Sequence, residues 1–148
     1  MQDYPHTYVV AASAQSDSNT TTSSPGLADL EVAAPAEFGG PGDQWSPETL
    51  LVAAVADCFI LSFKAIARAS KMEWTSLSCD VDGVLEKVDR VTRFTAFHIR
   101  ATLDVPDGTR EDKAERLMAM AEKSCLITNS LIADSDLEAE VRVAGIAA

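Results

Sequence analysis

The side chains with most chemistry to offer are three cysteines, Cys58, Cys79 and Cys125, and their sequence surroundings differ. A thiol does nucleophilic or redox work as a thiolate, which needs a cation, a positive dipole or hydrogen-bond donors beside it. Cys58 falls within Glu48 to about Lys71, an apolar stretch without Gly or Pro that reads as a helix. Neither the helix N-terminus nor a base on its own face is near the sulfur. Alone, Cys58 therefore reads as an inert thiol, and small buried cysteines are common core residues. Cys79 alternates with Leu77 and Val81 on the apolar side of a strand and fits the same core role. Cys125 continues, at helical spacing, the stripe of Ala114, Leu117, Met118 and Ala121, and could meet Cys58 wherever the two helices pack. His6 and His98 stand far apart with no ligand-spaced Cys, Asp or Glu, so neither a zinc site nor a Cys-His pair assembles and both read as surface residues. The run Gly39-Gly40-Pro41-Gly42 has the wrong spacing for a phosphate loop and no following Lys-Ser/Thr.

Charge narrows the possible partners. The 148 residues carry a net charge of −11, with eight acids and no Lys or Arg in residues 1–63, and 15 acids against 12 bases thereafter. Nucleic-acid affinity comes from Lys and Arg displacing counterions, so a nucleic-acid partner is not expected. An odd number of widely spaced cysteines argues against a structural disulfide framework. No run reads as a membrane span, and the N-terminus lacks the basic start and apolar run of a signal peptide. The expectation is one soluble, cytoplasmic domain over residues 1–148, with no membrane partner.

The elements that must position the cysteines follow from periodicity. Thr7 to Ser13 is β-prone, Gln15 to Gly26 reads as a long polar turn, and Leu27 to Ala34 alternates as a half-buried strand, predicting an N-terminal hairpin. Ser46-Pro47 supplies an N-cap and a first-turn proline for the long helix. That helix is apolar on most faces, as buried helices are, with Asp57, Lys64, Arg68 and Lys71 as its polar stripe. Two strands follow, around Leu77 to Val81 and from Val91 to Val105. In the second, Arg93 falls on the apolar register of Phe97, Ile99, Ala101, Leu103 and Val105. Thr109 is the expected cap of a second helix, and Leu137 to Ala144 is a final strand. Short connections between strands favour antiparallel pairing, and the class is α+β.

The run Ser46-Pro47-Glu48-Thr49-Leu50-Leu51-Val52-Ala53-Ala54-Val55-Ala56-Asp57-Cys58-Phe59 resembles the signature of the OsmC/Ohr family: a Pro-Glu start, a small apolar helix, and Cys-Phe ten residues after the Glu. A second block, Ala121-Glu122-Lys123-Ser124-Cys125-Leu126-Ile127-Thr128-Asn129-Ser130-Leu131, looks like the family's second cysteine region, with Leu126 where proline is frequent. The resemblance implies antiparallel β-sheets packed around a long buried central helix, in an intertwined homodimer. It also implies a peroxidase for organic hydroperoxides: Cys58 attacks and becomes a sulfenic acid, Cys125 resolves it as a disulfide, and a dithiol such as a lipoylated protein restores the thiols. No metal or organic cofactor is implied. Glu48 takes the place of the carboxylate that orients the family's arginine. That arginine belongs to the N-terminal strands, and here none precedes Arg68. Arg68 lies about 15 Å along the helix from Cys58, which leaves Arg93 as the better substitute. Glu48 and Cys58 are separated by a similar rise, so a shared site requires Glu48 from a second copy.

Overall fold

The computed structural model describes residues 1–145. Two compact units make up the chain, one spanning Met1–Leu50 and the other beginning at Leu51.

In the first unit, β1 (Ala11–Ser13), β2 (Thr20–Ser23) and β3 (Leu30–Val32) form an antiparallel sheet in the order β1-β2-β3. The expected hairpin is thus a three-stranded sheet. The polar run expected to be a turn supplies its middle strand, with Thr20 opposite Val32 and Thr22 opposite both Leu30 and Ala12. Threonine is branched at Cβ and suits a pleated, half-exposed surface, so Thr20-Thr21-Thr22 is strand-forming although polar. Ser46 caps α1 (Pro47–Ala69) as the sequence predicts: Thr49 N donates to Ser46 Oγ at 3.1 Å and Ser46 N donates to Thr49 Oγ1 at 2.9 Å. Such a cap stabilises a helix start by about 1 kcal/mol.

In the second unit, β4 (Ser76–Val88), β5 (Val91–Val105) and β6 (Asp134–Val143) form a sheet ordered β4-β5-β6. Asp89 and Arg90, both at positive φ, make the tight turn of an antiparallel β4–β5 hairpin. The β6 strand runs parallel to β5, against the expectation of antiparallel pairing throughout. The reason is α2 (Glu111–Lys123), which carries the chain back across the sheet between β5 and β6, as a parallel neighbour requires. The buried stripe of α2 is the expected Ala114, Leu117, Met118 and Ala121. Its cap is Arg110 in place of Thr109: Lys113 N and Ala114 N donate to the Arg110 carbonyl, and the Arg110 guanidinium binds Asp112 at 2.6 Å.

One stripe of α1, Val55, Phe59, Phe63 and Ala67, is fully buried in a core shared with Phe97, Ile99, Leu103 and Met118. Gly83 on β4 permits the close approach, since a Cβ there would stand 2.6 Å from Val52 Cγ2 and 2.9 Å from Phe94. The opposite face of α1 is not covered by this unit, and Leu61 is 63% exposed. Burial on every face is therefore not achieved within it. By length and composition α1 is also apolar enough to cross a membrane, with mean hydropathy 2.1 over its best window, contrary to the expectation that no run reaches that mark. Its Val55, Phe59, Phe63 and Ala67 stripe is instead packed in the protein core.

Candidate active site

Cys58 sits mid-way along α1, half buried, with its Sγ 3.9 Å from Ser62 Oγ one turn on. Cys125 follows the end of α2 and is fully buried. A tight turn fixes its backbone: Cys125 N donates to Glu122 O at 3.2 Å, and Cys125 O accepts from Asn129 N at 3.0 Å and from Thr128 Oγ1 at 3.1 Å. The Cys58 and Cys125 thiols lie near enough for each to act on the other's ionisation. The Ile127 backbone acts to lower both thiols, and the hydroxyl and backbone of Thr128 act to lower Cys125.

These contacts divide the two thiols. Burial pushes the Cys58 thiol above its ordinary range; the Ile127 amide opposes it, and the adjoining Cys125 sulfur raises it further. Burial also acts to raise Cys125, but the hydroxyl and amide of Thr128, the Cys58 thiol and the Ile127 amide outweigh it and bring Cys125 below the usual thiol range. Cys79, on β4, is pushed up to about 11, first by burial and then by the charges of Asp80 and Asp57, which is the core role its alternation predicts.

No cation is among the groups acting on either sulfur among the described residues. Arg93 does not take that place. Between Val84 and Leu85 the β4–β5 register shifts, leaving Thr95 as an extra residue, and the bulge turns Phe94 onto the apolar face, where it stacks on Phe97 at 5.3 Å. Arg93 is consequently exposed, opposite Glu86. His98 is exposed beside Asp136 at 2.5 Å, and His6 is exposed and stacked on Tyr4. Among the described residues no group of three or more His, Cys, Asp or Glu is arranged to hold a metal ion.

Glu48 lies in the first turn of α1, where the helix dipole favours a carboxylate. Together with Thr20, Val32, Ala33, Ala34, Pro35, Phe38 and Pro47 it lines a cavity of about 350 Å³. Its Oε2 is buried without a hydrogen-bond partner among the described residues. A buried carboxylate oxygen is costly without a donor, and the first 63 residues contain no Lys or Arg to provide one.

Residues 40–140 match the family described as OsmC-like protein. The chain belongs to the OsmC-like family. It is 25% identical over 115 residues to the uncharacterised protein YmaD of Bacillus subtilis, covering 76% of this chain and 77% of that one. An OsmC-like protein of unknown function from Vibrio cholerae superposes with a TM-score of 0.79 at 21% identity, over 93% of this chain and 99% of the other. A Legionella pneumophila organic hydroperoxide resistance protein OsmC superposes with a TM-score of 0.75 at 25% identity, over 95% and 100%. The OsmC-like fold expected from the two sequence blocks is therefore the fold observed.

Three residues at these sites were not singled out from the sequence. Thr128 and Ile127 stand inside the second block, where the sequence marks them only as part of its pattern. Thr20 lay within a run read as a turn, and the strand-forming tendency of three successive threonines was the signal that would have placed it.

Proposed function

We propose that this OsmC-like protein is a thiol-dependent peroxidase that reduces organic hydroperoxides. The observation that carries the reading is that the Cys58 thiol on α1 and the Cys125 thiol after α2 lie near enough to act on each other's ionisation, whereas Cys58 is not among the groups acting on Cys79. The half-buried Cys58 attacks the peroxide and becomes a sulfenic acid, and the adjoining Cys125 condenses with it to a disulfide. A small dithiol or a lipoylated protein then returns both thiols by exchange. The name of the Legionella pneumophila protein supports the substrate class. The working unit is a homodimer in which the uncovered face of α1 meets a second copy, and Glu48 of the partner subunit serves the Cys58 site.

Stopped-flow oxidation of the reduced protein by cumene hydroperoxide tests this reading. The rate should far exceed that of a free thiol. Cys58→Ser should abolish it, and Cys125→Ser should allow one turnover and leave a trappable sulfenic acid. A wild-type rate no faster than a free thiol overturns the peroxidase.

A second reading has one observation in its favour, the absence, among the described residues, of any cation acting on the Cys58 sulfur. It is a non-catalytic or redox-sensing dimer that binds a hydrophobic small molecule, whose disulfide forms slowly and signals by change of shape. Slow disulfide formation with a conformational change would select it.

A further inference from the structure

Between Leu50 and Phe63 the side chains of α1 are hydrocarbon except for Asp57, Cys58 and Ser62. Asp57 is exposed, as a charged residue should be, whereas Ser62 is half-buried. Residues four apart on a helix share one face, one turn above the other, and the Ser62 Oγ lies 3.9 Å from the Cys58 Sγ. Serine forms helices less readily than alanine, so propensity does not explain its place in this apolar stretch. Nor does a bond to the backbone. Ser124 and Ser130 of the same chain each donate to the carbonyl four residues back, at 2.8 Å to Met120 and 2.7 Å to Leu126, the usual resort of a serine in helical backbone. Among the described residues the Ser62 hydroxyl makes no such bond, and its partner is the Cys58 sulfur.

We propose that Ser62 is the positioning residue of the Cys58 thiolate, its hydroxyl donating to the charged sulfur in the role that the OsmC/Ohr resemblance gives to an arginine. The proposal rests on the peroxidase reading, in which this thiolate is the attacking group. Between a neutral thiol and a hydroxyl either atom can donate; once Cys58 is ionised, only the hydroxyl has a proton to give. Hydrogen bonds of a resting site are often long and tighten as charge develops, and a charged sulfur is a stronger acceptor than a neutral one. Burial, the largest influence on the Cys58 thiol, raises it, and the Ile127 backbone and the Ser62 hydroxyl act the other way. Among the described residues the titratable group acting on Cys58 from another element is the Cys125 thiol after α2, which raises it, while Asp57 and Lys64 on α1 itself are exposed. A hydroxyl carries no net charge, so its help to the thiolate is that of one hydrogen bond and not of an ion pair.

The test is the pH profile of alkylation by iodoacetamide in the reduced protein, read by mass spectrometry with no peroxide present; trypsin leaves the three cysteines on separate peptides. In Ser62→Ala the Cys58 midpoint should rise by about one pH unit, the scale of one lost hydrogen bond to a charged group. Ser62→Thr keeps the hydroxyl and should keep the wild-type midpoint. Alanine is smaller and a better helix former, so Ser62→Ala should fold, and the Cys79 midpoint from the same digest should stay where it is. At pH 7 hydroperoxide should oxidise Ser62→Ala about threefold more slowly than the wild type, because an about tenfold loss of thiolate is partly offset by its greater nucleophilicity. A Cys58 midpoint unmoved in Ser62→Ala, or raised equally in Ser62→Thr, overturns the proposal. A raised midpoint in Ser62→Ala, with a wild type that consumes hydroperoxide no faster than a free thiol, refutes the peroxidase and leaves the bond from Ser62 to the sulfur standing.

Discussion

Thr20 and Glu48 line the same cavity of about 350 Å³, and the Glu48 Oε2 is buried without a hydrogen-bond partner among the described residues. The OsmC/Ohr resemblance implies an arginine in the N-terminal strands held by this glutamate, and Thr20 on β2 is, with Val32 on β3, an N-terminal strand residue that lines its cavity. Thr20→Arg should therefore bind Glu48 and raise the stability by about 1–3 kcal/mol, the usual cost of an unsatisfied buried polar group. The gain should vanish in the Thr20→Arg, Glu48→Gln pair. Urea denaturation measures both, and an equal gain in the double variant would show that no ion pair forms.

Gly83 has no room for a side chain. A methyl group there meets Val52 Cγ2 at 2.6 Å and the Phe94 ring at 2.9 Å, so either α1 or β4 must shift. Gly83→Ala should cost about 1–3 kcal/mol by denaturant unfolding, and Val52→Ala in the same chain should recover part of the loss. Full stability in Gly83→Ala would mean that the helix and strand are less closely packed than described.

Cys79 gives a pH signature. Its folded-state pKa is raised from 9.0 to about 11 because burial disfavours the thiolate. Between these values the unfolded chain loses the Cys79 proton while the folded chain keeps it. The resulting contribution to stability is complete below about pH 9 and is lost as pH rises to about 11. Unfolding measured at pH 8 and pH 11 should show a smaller loss for Cys79→Ala than for the wild type. Equal losses would place Cys79 in water.

Leu61 stands 63% exposed on an apolar helix, which a homodimer would explain. Light scattering coupled to size exclusion should give about twice the 15.8 kDa of one chain at low micromolar concentration. Leu61→Asp should return the mass to that of a single chain. A wild-type mass of 15.8 kDa with hydroperoxide consumption intact would contradict the shared site.

Much of the framework was legible because its signals are local. The Ser46 cap, the uninterrupted helix to Ala69, and the stripe of Ala114, Leu117, Met118 and Ala121 each follow from short-range spacing. The parallel β6 was missed because pairing direction depends on where α2 delivers the chain, which alternation within a strand does not report. Arg93 was placed inward because period-two counting assumes an unbroken ladder, and the extra residue at Thr95 reverses every assignment beyond it. The two cysteine blocks were legible as a family pattern. The Thr128 and Ile127 groups that act on Cys125 were not, because they are backbone groups and one hydroxyl placed by the fold of the turn.

The central claim, that Cys58 and Cys125 form the reactive pair, is tested most directly by adding one equivalent of an organic hydroperoxide to the reduced protein, counting the remaining thiols and mapping the peptides without reduction. The account expects a Cys58–Cys125 disulfide as the main product, with Cys79 the one free thiol left of the three. A bridge containing Cys79, or oxidation of Cys58 to sulfinic acid while Cys125 stays free, would contradict it.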